Sequence, residues 1–510
     1  MNFLGQIFSR YNEWRKHFLC HTEPLIALAK TDEDKINVVL EYLVSTGRIL
    51  NIQNQNKNTT KAREYIEEGE QKLEVQLWSD AVRIFTKAIM HAEINSNELA
   101  RGYINRSVAL CKSGKYENAL SDIERASKMN CNDNEKALLF TTRAKCLHAI
   151  ENIMDPEHVK AFEDANQWNG NSNNVDISEI HNISFELLDD SSGAEPPRFE
   201  YDSNDFLREP LKDNLLISIE AWNTVQLKCS KKFGRHVVAK RNIEPGEALS
   251  VYKAYTAVID YSYRHIYCWN CCKQTWSGVA CHQCVNVIYC DENCRDKAWR
   301  EHHDIECPVI STISSKELNS YDLLALRLTV KACKEAGTLE NLEEKIHQIE
   351  GTHGSVHKRL TNNVFEPTLY ASVYSLRRNT QEFFVGTERA SVILYSLAAT
   401  TNLFGEKISD LRWLIKNKYA AFIGGLIKRN YEISLINSNK LSYNGDVGLV
   451  LDSFWPLFNH RPTPTVINFA SGKTSYLIAF QRISKGQQIF LSCEPEFIYD
   501  KYGKRWKKSI

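Results

Sequence analysis

The spacing of the cysteines between residues 268 and 307 constrains the fold of this chain more than any other feature. Eight of the fifteen cysteines lie in this short stretch. Seven of these cysteines and one histidine are the eight candidate metal ligands, which are Cys268, Cys271, Cys281, Cys284, Cys290, Cys294, His303 and Cys307. A gap of two residues lets a tight turn present two thiolates to one ion, and eight ligands are enough for two tetrahedral zinc sites. The sequence therefore predicts a compact module with two structural zinc ions and no open coordination position for catalysis.

Helix geometry selects the histidine ligand. Residues 294–307 have a helical composition, and only His303 lies four residues before Cys307, on the same face of such a helix. His302 would point well away from Cys307, and Cys272, next to a predicted ligand, is read as a spare thiol. Free thiols or disulfides are the alternative, and this spacing disfavours them in a chain whose first residues do not resemble a secretion signal.

Length and charge set the outer limits of the interpretation. With 510 residues, the chain is expected to contain about three domains. Lys plus Arg and Asp plus Glu both number 63, so the overall charge predicts neither a nucleic-acid nor a membrane partner. No apolar run reaches the roughly 18 residues of a transmembrane helix. The other seven cysteines are scattered, as is typical of reduced thiols, and the expected location is cytoplasmic, nuclear or both.

The N-terminal third of the chain is predicted to be helical. Residues 1–60 carry apolar side chains at helical spacing and are read as a helical extension. Within residues 62–165 an aromatic residue and two alanines recur after 38 positions, first as Trp78, Ala81 and Ala88, then as Tyr116, Ala119 and Ala126. The pattern resembles the tetratricopeptide repeat, whose period is about 34 residues, lengthened here by loop insertions. Such stacks bind partner peptides in a concave face. The alternative is an ordinary helical bundle.

Beyond the repeats, the character of the chain changes several times. Residues 166–212 are rich in Asn, Ser and acidic side chains and predict a solvated linker. Strand-like segments follow at 213–267, helices are predicted at 308–425, and short strands return at 426–498 before a tail at 499–510. The zinc module at 268–307 thus interrupts a β domain. The predicted fold class is α+β and multidomain.

This order of segments resembles the SET and MYND domain family, in particular its class with N-terminal tetratricopeptide repeats. The cysteine array, with Tyr289 before Cys290 and Trp299 in the predicted helix, resembles the MYND zinc finger. The resemblance implies interleaved sites, one formed by Cys268, Cys271, Cys290 and Cys294 and the other by Cys281, Cys284, His303 and Cys307. It also implies that the finger binds proline-rich peptides.

The same resemblance implies that the divided β region is a SET domain. That fold is a pseudo-knotted β domain that binds S-adenosylmethionine on one side and admits a substrate lysine from the other. Gly234, Arg235 and His236 match the first cofactor loop of the family, where a glycine lets the backbone approach the ligand. Asn459 and His460 match its cofactor-binding Asn–His pair, and Asn430 matches a further cofactor-contacting asparagine. The alternative for Asn459–His460 is a turn with a helix cap.

The sequence departs from the family pattern at three points. Residues 461–465 (RPTPT) replace the usual Ser-Cys-x-Pro-Asn, and no cysteine follows Cys493, so the third zinc site of the family is not expected. Cys493 occupies the position of the catalytic tyrosine, and Tyr499 and Tyr502 are the candidate substitutes. Because a thiol donates a weaker hydrogen bond than a phenol, methyl transfer is expected to be weakened or lost, while cofactor binding persists.

Three functions remain open at this point. The first is a protein-lysine N-methyltransferase that regulates gene expression or signalling, with a lysine-bearing protein substrate. The second is a non-catalytic scaffold that binds proteins through its repeats and finger. The third, a chaperone adaptor with a basic clamp near Lys87, Lys112 and Lys115, is less favoured because exposed lysines more often form a solvated face.

Overall fold

A computed structural model describes residues 22, 24–46, 56–150, 224–313, 318–350, 380–442, 446–451 and 457–491. The chain divides into two compact units. We call the first the sheet unit; its described residues are those before 47, together with 224–260 and 318–491. We call the second the finger unit, and its described residues are 56–150 and 261–313. Each unit is therefore assembled from separated stretches of sequence.

Helices and strands are numbered here along the chain. The helices are α1 (Asp32–Ser45), α2 (Thr59–Glu74), α3 (Trp78–His91), α4 (Asn97–Lys112), α5 (Tyr116–Ser127), α6 (Asp133–Ile150), α7 (Glu292–Ala298), α8 (Asp304–Thr312), α9 (Ser320–Ala336), α10 (Leu339–Glu350), α11 (Thr380–Thr400), α12 (Leu411–Lys416) and α13 (Ala420–Asn437). The strands are β1 (Val225–Ser230), β2 (Gly234–Ala239), β3 (Ala248–Lys253), β4 (Thr256–Ile259), β5 (Val279–Ala280), β6 (Ile288–Tyr289), β7 (Asn439–Ser442), β8 (Asp446–Leu451), β9 (Asn459–His460), β10 (Val466–Ser471), β11 (Thr474–Ala479) and β12 (Phe490–Leu491). This mixture of helix and sheet confirms the α+β class. Within the described part of the chain, no helix is both long and apolar enough to cross a bilayer.

In the finger unit, α2 to α6 form a helical array in which consecutive helices pack on one another. The alanines that recur in the sequence lie at these contacts, and Ala81, Ala88, Ala119 and Ala126 are fully buried. A small side chain lets two helix backbones approach closely. At Gly69 the approach is closer still, because a Cβ atom there would lie 2.4 Å from Cε1 of Phe85.

The helices of the array also begin where the sequence provides caps. The side chain of Asn58 accepts a hydrogen bond from the amide of Lys61 at the start of α2, and Ser96 accepts one from the amide of Leu99 at the start of α4. Gly114, with φ of 73°, makes the turn between α4 and α5. Local sequence thus fixes the ends of the helices, and buried small residues fix their packing.

In the sheet unit, strands from before and after the finger pair with each other. One three-stranded sheet has the strand order β10–β11–β3, and another has the order β4–β8–β7. The pairs β3–β11 and β4–β8 are both antiparallel. β1 and β2 form an antiparallel hairpin, while β9 and β12 pair in parallel. One apolar core joins β1, β2, β3, β10, β11 and β12, with members from Val225 and Val237 through to Leu491. The segments on the two sides of the finger therefore form one β structure.

Helix α1 near the N-terminus belongs to the sheet unit, where it packs on α13. Gly424 permits the contact, because a Cβ atom at that position would lie 2.7 Å from Cγ2 of Ile36. Lys428, fully buried on α13, forms ion pairs with Asp32 of α1 at 3.0 Å and with Glu432 one turn further along α13. The sequence indicated helices for residues 1–60 but gave no sign that one of them packs in this unit.

Candidate functional site

The structure gathers the eight predicted metal ligands into two clusters. In each cluster the ligand atoms all lie within 4.8 Å of one another. The first cluster contains Cys268, Cys271, Cys290 and Cys294, and the second cluster contains Cys281, Cys284, His303 and Cys307. These are the interleaved sets that the family resemblance implied, with each cluster taking two ligands from each half of the short segment.

The distances within the clusters fit tetrahedral zinc. Four sulfur atoms at about 2.3 Å from a central zinc ion would be separated by about 3.8 Å along each edge of the tetrahedron. Sγ of Cys271 lies 3.8 Å from Sγ of Cys290, and Sγ of Cys281 lies 3.9 Å from Sγ of Cys307. A disulfide would require about 2.05 Å. Two cysteine-rich sites that could hold zinc are therefore present, and the donor sets suit its preference for sulfur and nitrogen.

Backbone and side-chain amides orient the thiolates. The amide of Cys271 donates to Sγ of Cys268 at 3.4 Å, and the amide of Gln283 donates to Sγ of Cys281 at the same distance. Nδ2 of Asn270 lies 3.5 Å from Sγ of Cys294. Hydrogen bonds to sulfur favour the charged form that binds a metal and fix its direction. Cys272, the predicted spare thiol, belongs to neither cluster and is buried with φ of 61°.

The last two ligands lie on a helical segment, as predicted, but its geometry is not uniform. α7 is followed by a π-helical turn at Trp299–His303 and then by α8, which carries Cys307. Nε2 of His303 lies 3.7 Å from Sγ of Cys284, as expected for two ligands of one ion. π-turns are rare and are often found at functional sites. The sequence predicted the helix and the ligand but not the change of helical pitch.

Glu306 is a functional residue that the sequence interpretation missed. Its Oε2 atom lies 3.0 Å from Nδ1 of the buried His302 and accepts a hydrogen bond from Nε1 of Trp269 at 3.3 Å. Nδ1 of His303 lies 3.9 Å from the same oxygen. The distance of 3.9 Å is too long for a hydrogen bond, so Glu306 places a negative charge near the ligand His303, while its hydrogen bond orients the neighbouring His302. The spacing of Glu306, three residues after His303 and four after His302, is the signal that would have identified it.

Burial makes the clusters dependent on a cation. Within each cluster the thiols shift in opposite directions: burial raises the pKa of Cys268 and hydrogen bonding raises that of Cys307, whereas hydrogen bonds from neighbouring cluster residues lower the pKa of Cys271 and Cys281. Collecting several thiolates in a buried cluster is unfavourable unless a metal ion compensates their charge. Lys57 brings a positive charge near the second cluster. Burial lowers the pKa of Lys57, and the negative charge of the cluster cysteines partly offsets this by raising it.

In the sheet unit, the structure brings Asn459 to the predicted cofactor loop. Nδ2 of Asn459 donates to the carbonyl of Phe233 at 3.2 Å, across 226 positions of sequence. Gly234 follows with φ of 60°, and a Cβ atom there would find no neighbour within 4 Å. Nδ1 of the buried His236 lies 2.9 Å from the carbonyl of Gly234. The loop between β1 and β2 therefore lies beside β9, with open space at its glycine.

Pairing between β9 and β12 holds the Asn–His pair. Asn459 lies opposite Phe490, and His460 lies opposite Leu491. Thr465, which is fully buried, donates its amide to the carbonyl of Phe490 at 3.0 Å, and its Oγ1 accepts from the amide of Phe490 at 2.9 Å. The segment that departs from the family motif is thus anchored at its end. This arrangement differs from the alternative of a turn with a helix cap.

The other predicted cofactor residues, Arg235 and Asn430, lie on different elements of the sheet unit. Arg235 lies on β2 opposite Cys229 of β1. Asn430 is fully buried on α13, where its Nδ2 donates to Oγ1 of Thr329 at 2.9 Å, and its Oδ1 is buried without a hydrogen-bond partner within the described residues. Cys493, Tyr499 and Tyr502, like the predicted linker at 166–212 and the tail at 499–510, lie outside the described residues.

Comparison with known proteins tests the family resemblance. No protein-family profile matches the chain. It is 30% identical over 283 residues to protein-lysine N-methyltransferase SMYD4 of Gallus gallus, a match that covers 50% of this chain and 37% of the relative. The human protein of the same name is 25% identical over 293 residues, which are 52% of this chain and 36% of the relative. A SET and MYND domain-containing protein of Dictyostelium discoideum is 33% identical over 106 residues, which are 20% of this chain and 28% of that protein.

The chain is a relative of the SET and MYND domain proteins. This confirms the family resemblance that the sequence indicated. The matched region spans less than two-fifths of the length of the vertebrate relatives.

Proposed function

We propose that the chain is a SET/MYND-type protein of the S-adenosylmethionine-dependent protein-lysine N-methyltransferase family that acts in the regulation of gene expression or in signalling. The observation that carries the proposal is the hydrogen bond from Nδ2 of Asn459 to the carbonyl of Phe233. It joins the two segments that the family uses to bind the cofactor. The names of the relatives support a protein-lysine methyltransferase family.

The proposed roles follow from the positions of the side chains and backbone. Gly234, with its open space, would let the backbone of the loop approach the bound molecule. Asn459 and His460, held on β9 by its pairing with β12, would contact the polar groups of the cofactor and fix its orientation. S-adenosylmethionine would supply the methyl group, since such chemistry belongs to the cofactor and the protein positions it.

Weakened catalysis is part of the same proposal. The family tyrosine is replaced by Cys493, and a thiol is a shorter and weaker hydrogen-bond donor than a phenol. Loss of one aligned polar group typically reduces kcat by about 10²–10³-fold. Tyr499 and Tyr502 are the side chains that could replace it.

The second candidate is a non-catalytic scaffold. The RPTPT segment and Cys493 favour it, because the first lacks the cysteine of the family's third zinc site and the second replaces the family's catalytic tyrosine. In this case the helical array, as a set of tetratricopeptide repeats, and the finger would bind segments of partner proteins. The closed four-ligand clusters suit such a structural role.

Calorimetric titration with S-adenosylmethionine, followed by a methylation assay with labelled cofactor and a set of lysine peptides, tests the proposal. We expect binding by the chain, at least tenfold weaker binding by Asn459→Ala, and unchanged binding by the matched control Asn437→Ala, which removes an amide from the end of α13. Slow turnover that Asn459→Ala abolishes would support the enzyme. Binding without turnover would favour the scaffold with a retained pocket, and absence of binding would refute the cofactor site.

A further inference from the structure

The edge of the finger is built into the helical array. Within the finger unit, residues 276–292 of the finger contact α3, α4 and α5 through hydrogen bonds, an ion pair and a shared apolar core. We propose that metal binding by the finger and folding of the helical array are one coupled equilibrium, so that the array depends on metal although its described residues contribute no ligand. This proposal does not depend on methyl transfer.

A fully buried arginine forms the centre of the contact. Arg106 on α4 donates through Nε and Nη2 to both oxygens of Asp122 on α5, at 2.7 and 2.8 Å, and through Nη1 to Oγ1 of Thr86 at 3.1 Å. Nη2 also donates to the carbonyl of Gly278 at 2.8 Å. Gly278 lies three residues before the metal ligand Cys281. The finger thus supplies one of the acceptors that satisfy a buried guanidinium of the array.

A second arginine reaches both halves of the finger. Arg125 on α5 donates through Nη1 to the carbonyl of Ser277 at 2.7 Å and through Nε to Oε1 of Glu292 at 3.0 Å. Ser277 precedes the second cluster in sequence, and Glu292 lies between the first-cluster ligands Cys290 and Cys294. Oγ of Ser277 in turn donates to Oδ1 of Asn118 at 3.1 Å. These contacts require the finger to keep the shape that its ligands define.

Apolar packing extends the same contact. Ala280 on β5 and Ile288 on β6 belong to one buried core with Ile89, Tyr103 and Ile104 of the array. Ala280 is followed by the ligand Cys281, and the residue after Ile288 precedes the ligand Cys290. Both apolar side chains therefore stay in the core only while the chain around the ligands is folded.

Two further contacts join the finger to the rest of the finger unit. The ammonium group of Lys115 lies 4.2 Å from the centroid of the Trp276 ring, in cation–π geometry. Asn56, two residues before the N-cap of α2, pairs with the ligand Cys284 in an isolated β-bridge. The array and the finger are thus joined on both sides of the second cluster.

The finger itself has little regular secondary structure. Its strands β5 and β6 are two residues each, and α7 has seven residues. Small modules of this kind fold only with their metal bound, and binding free energy becomes folding free energy. Without metal, the Gly278 carbonyl and Ile288 would leave the array and expose its core. A metal ion that binds only the finger docked on the array stabilises the array. Because such coupling is reciprocal, the folded array must in turn raise the affinity of the finger for metal.

Hydrogen exchange of the whole chain tests the first half of this linkage. The chain would be measured with zinc and after removal of zinc by EDTA, and exchange would be followed in peptides from α4 and α5. We expect exchange in these helices to become at least tenfold faster on metal removal, while α13 of the sheet unit serves as an internal control and is unchanged. Loss of protection in the finger alone, with α4 and α5 unaffected, would overturn the proposal.

Variants of α5 test the reciprocal half. Arg125→Leu removes the bonds to Ser277, Glu292 and Asp122, whereas Lys128→Leu, at the C-cap of the same helix, removes a side chain that is 70% exposed and pairs with Glu124. In competition with a chromophoric zinc chelator, we expect Arg125→Leu to bind zinc about tenfold more weakly and Lys128→Leu to bind it normally. Zinc should also raise the Tm of Arg125→Leu less than that of the unmodified chain. The coupling would be refuted if Arg125→Leu bound zinc as tightly as the unmodified chain and lowered the Tm by the same amount with and without zinc. The contact would then be merely structural.

Discussion

Replacement of Asp122 by alanine should destabilise the finger unit more than any exposed charge substitution on the same helix. The carboxylate is fully buried and accepts hydrogen bonds from Nε and Nη2 of Arg106 and, at 3.1 Å, from Nη1 of Arg125. Without it, the buried guanidinium of Arg106 would keep only Oγ1 of Thr86 and the carbonyl of Gly278 as acceptors. A buried charge without its counter-ion is strongly unfavourable.

The size of the effect follows from that burial. Removing one partner of a buried ion pair costs about 3–5 kcal/mol. For a domain of this size, about 2–4 °C of Tm is lost per kcal/mol, so the Tm of Asp122→Ala should fall on the order of 10 °C. Thermal and guanidinium unfolding of the zinc-loaded chain, followed by far-UV circular dichroism, would measure both quantities.

A matched control is available on α5. Glu124 pairs with Lys128 at 2.8 Å, and both side chains are about 70% exposed. Because water screens such a pair, Glu124→Ala should cost at most about 1 kcal/mol. The double variant Arg106→Met with Asp122→Leu should recover part of the lost stability, since it removes the fully buried guanidinium together with its carboxylate, and Arg125 keeps Glu292 and the carbonyl of Ser277 as acceptors. If Asp122→Ala and Glu124→Ala proved equally mild, the reasoning about the buried pair would be wrong.

Two further predictions concern other parts of the fold. Gly69→Ala should lower the free energy of unfolding by about 1–3 kcal/mol, because its Cβ would lie 2.4 Å from the Phe85 ring; Phe85→Leu in the same chain should restore part of the loss in a denaturant titration. In the sheet unit, burial raises the pKa of Asp322 to about 6, so the folded chain favours the protonated carboxyl. The resulting stability is fully present below the unfolded pKa of about 3.8 and is lost as pH rises through about 6. Asp322→Asn should therefore remove up to about 3 kcal/mol of the stability loss between pH 4 and pH 8, measured by urea unfolding at constant salt; an identical pH profile in both proteins would contradict this.

The union of the finger with the helical array changes how the chain would bind partners. Residues 276–280 of the finger already contact α4 and α5, so this edge is occupied within the finger unit. Partner peptides would have to use other faces. Metal content should accordingly be controlled in any binding experiment with this chain.

Much of the metal site could be predicted from the chain alone. Cysteine pairs two residues apart can bind one ion only by a tight turn, and helical spacing selects His303 beside Cys307. The buried alanines of the array were likewise visible as a recurring pattern. These features are local, since ligand spacing and helix periodicity depend on a few consecutive residues.

Sequence by itself thus determined the ligand set, the helical N-terminal region and the family relationship. Tertiary structure decided what those segments touch: that Arg106 reaches the Gly278 carbonyl, that Asn459 bonds to Phe233, that Glu306 lies behind the histidines, and that α1 packs on α13. Contacts between residues far apart in sequence leave no period or spacing to read. They arise only when burial brings polar groups together and each must find a hydrogen-bond partner.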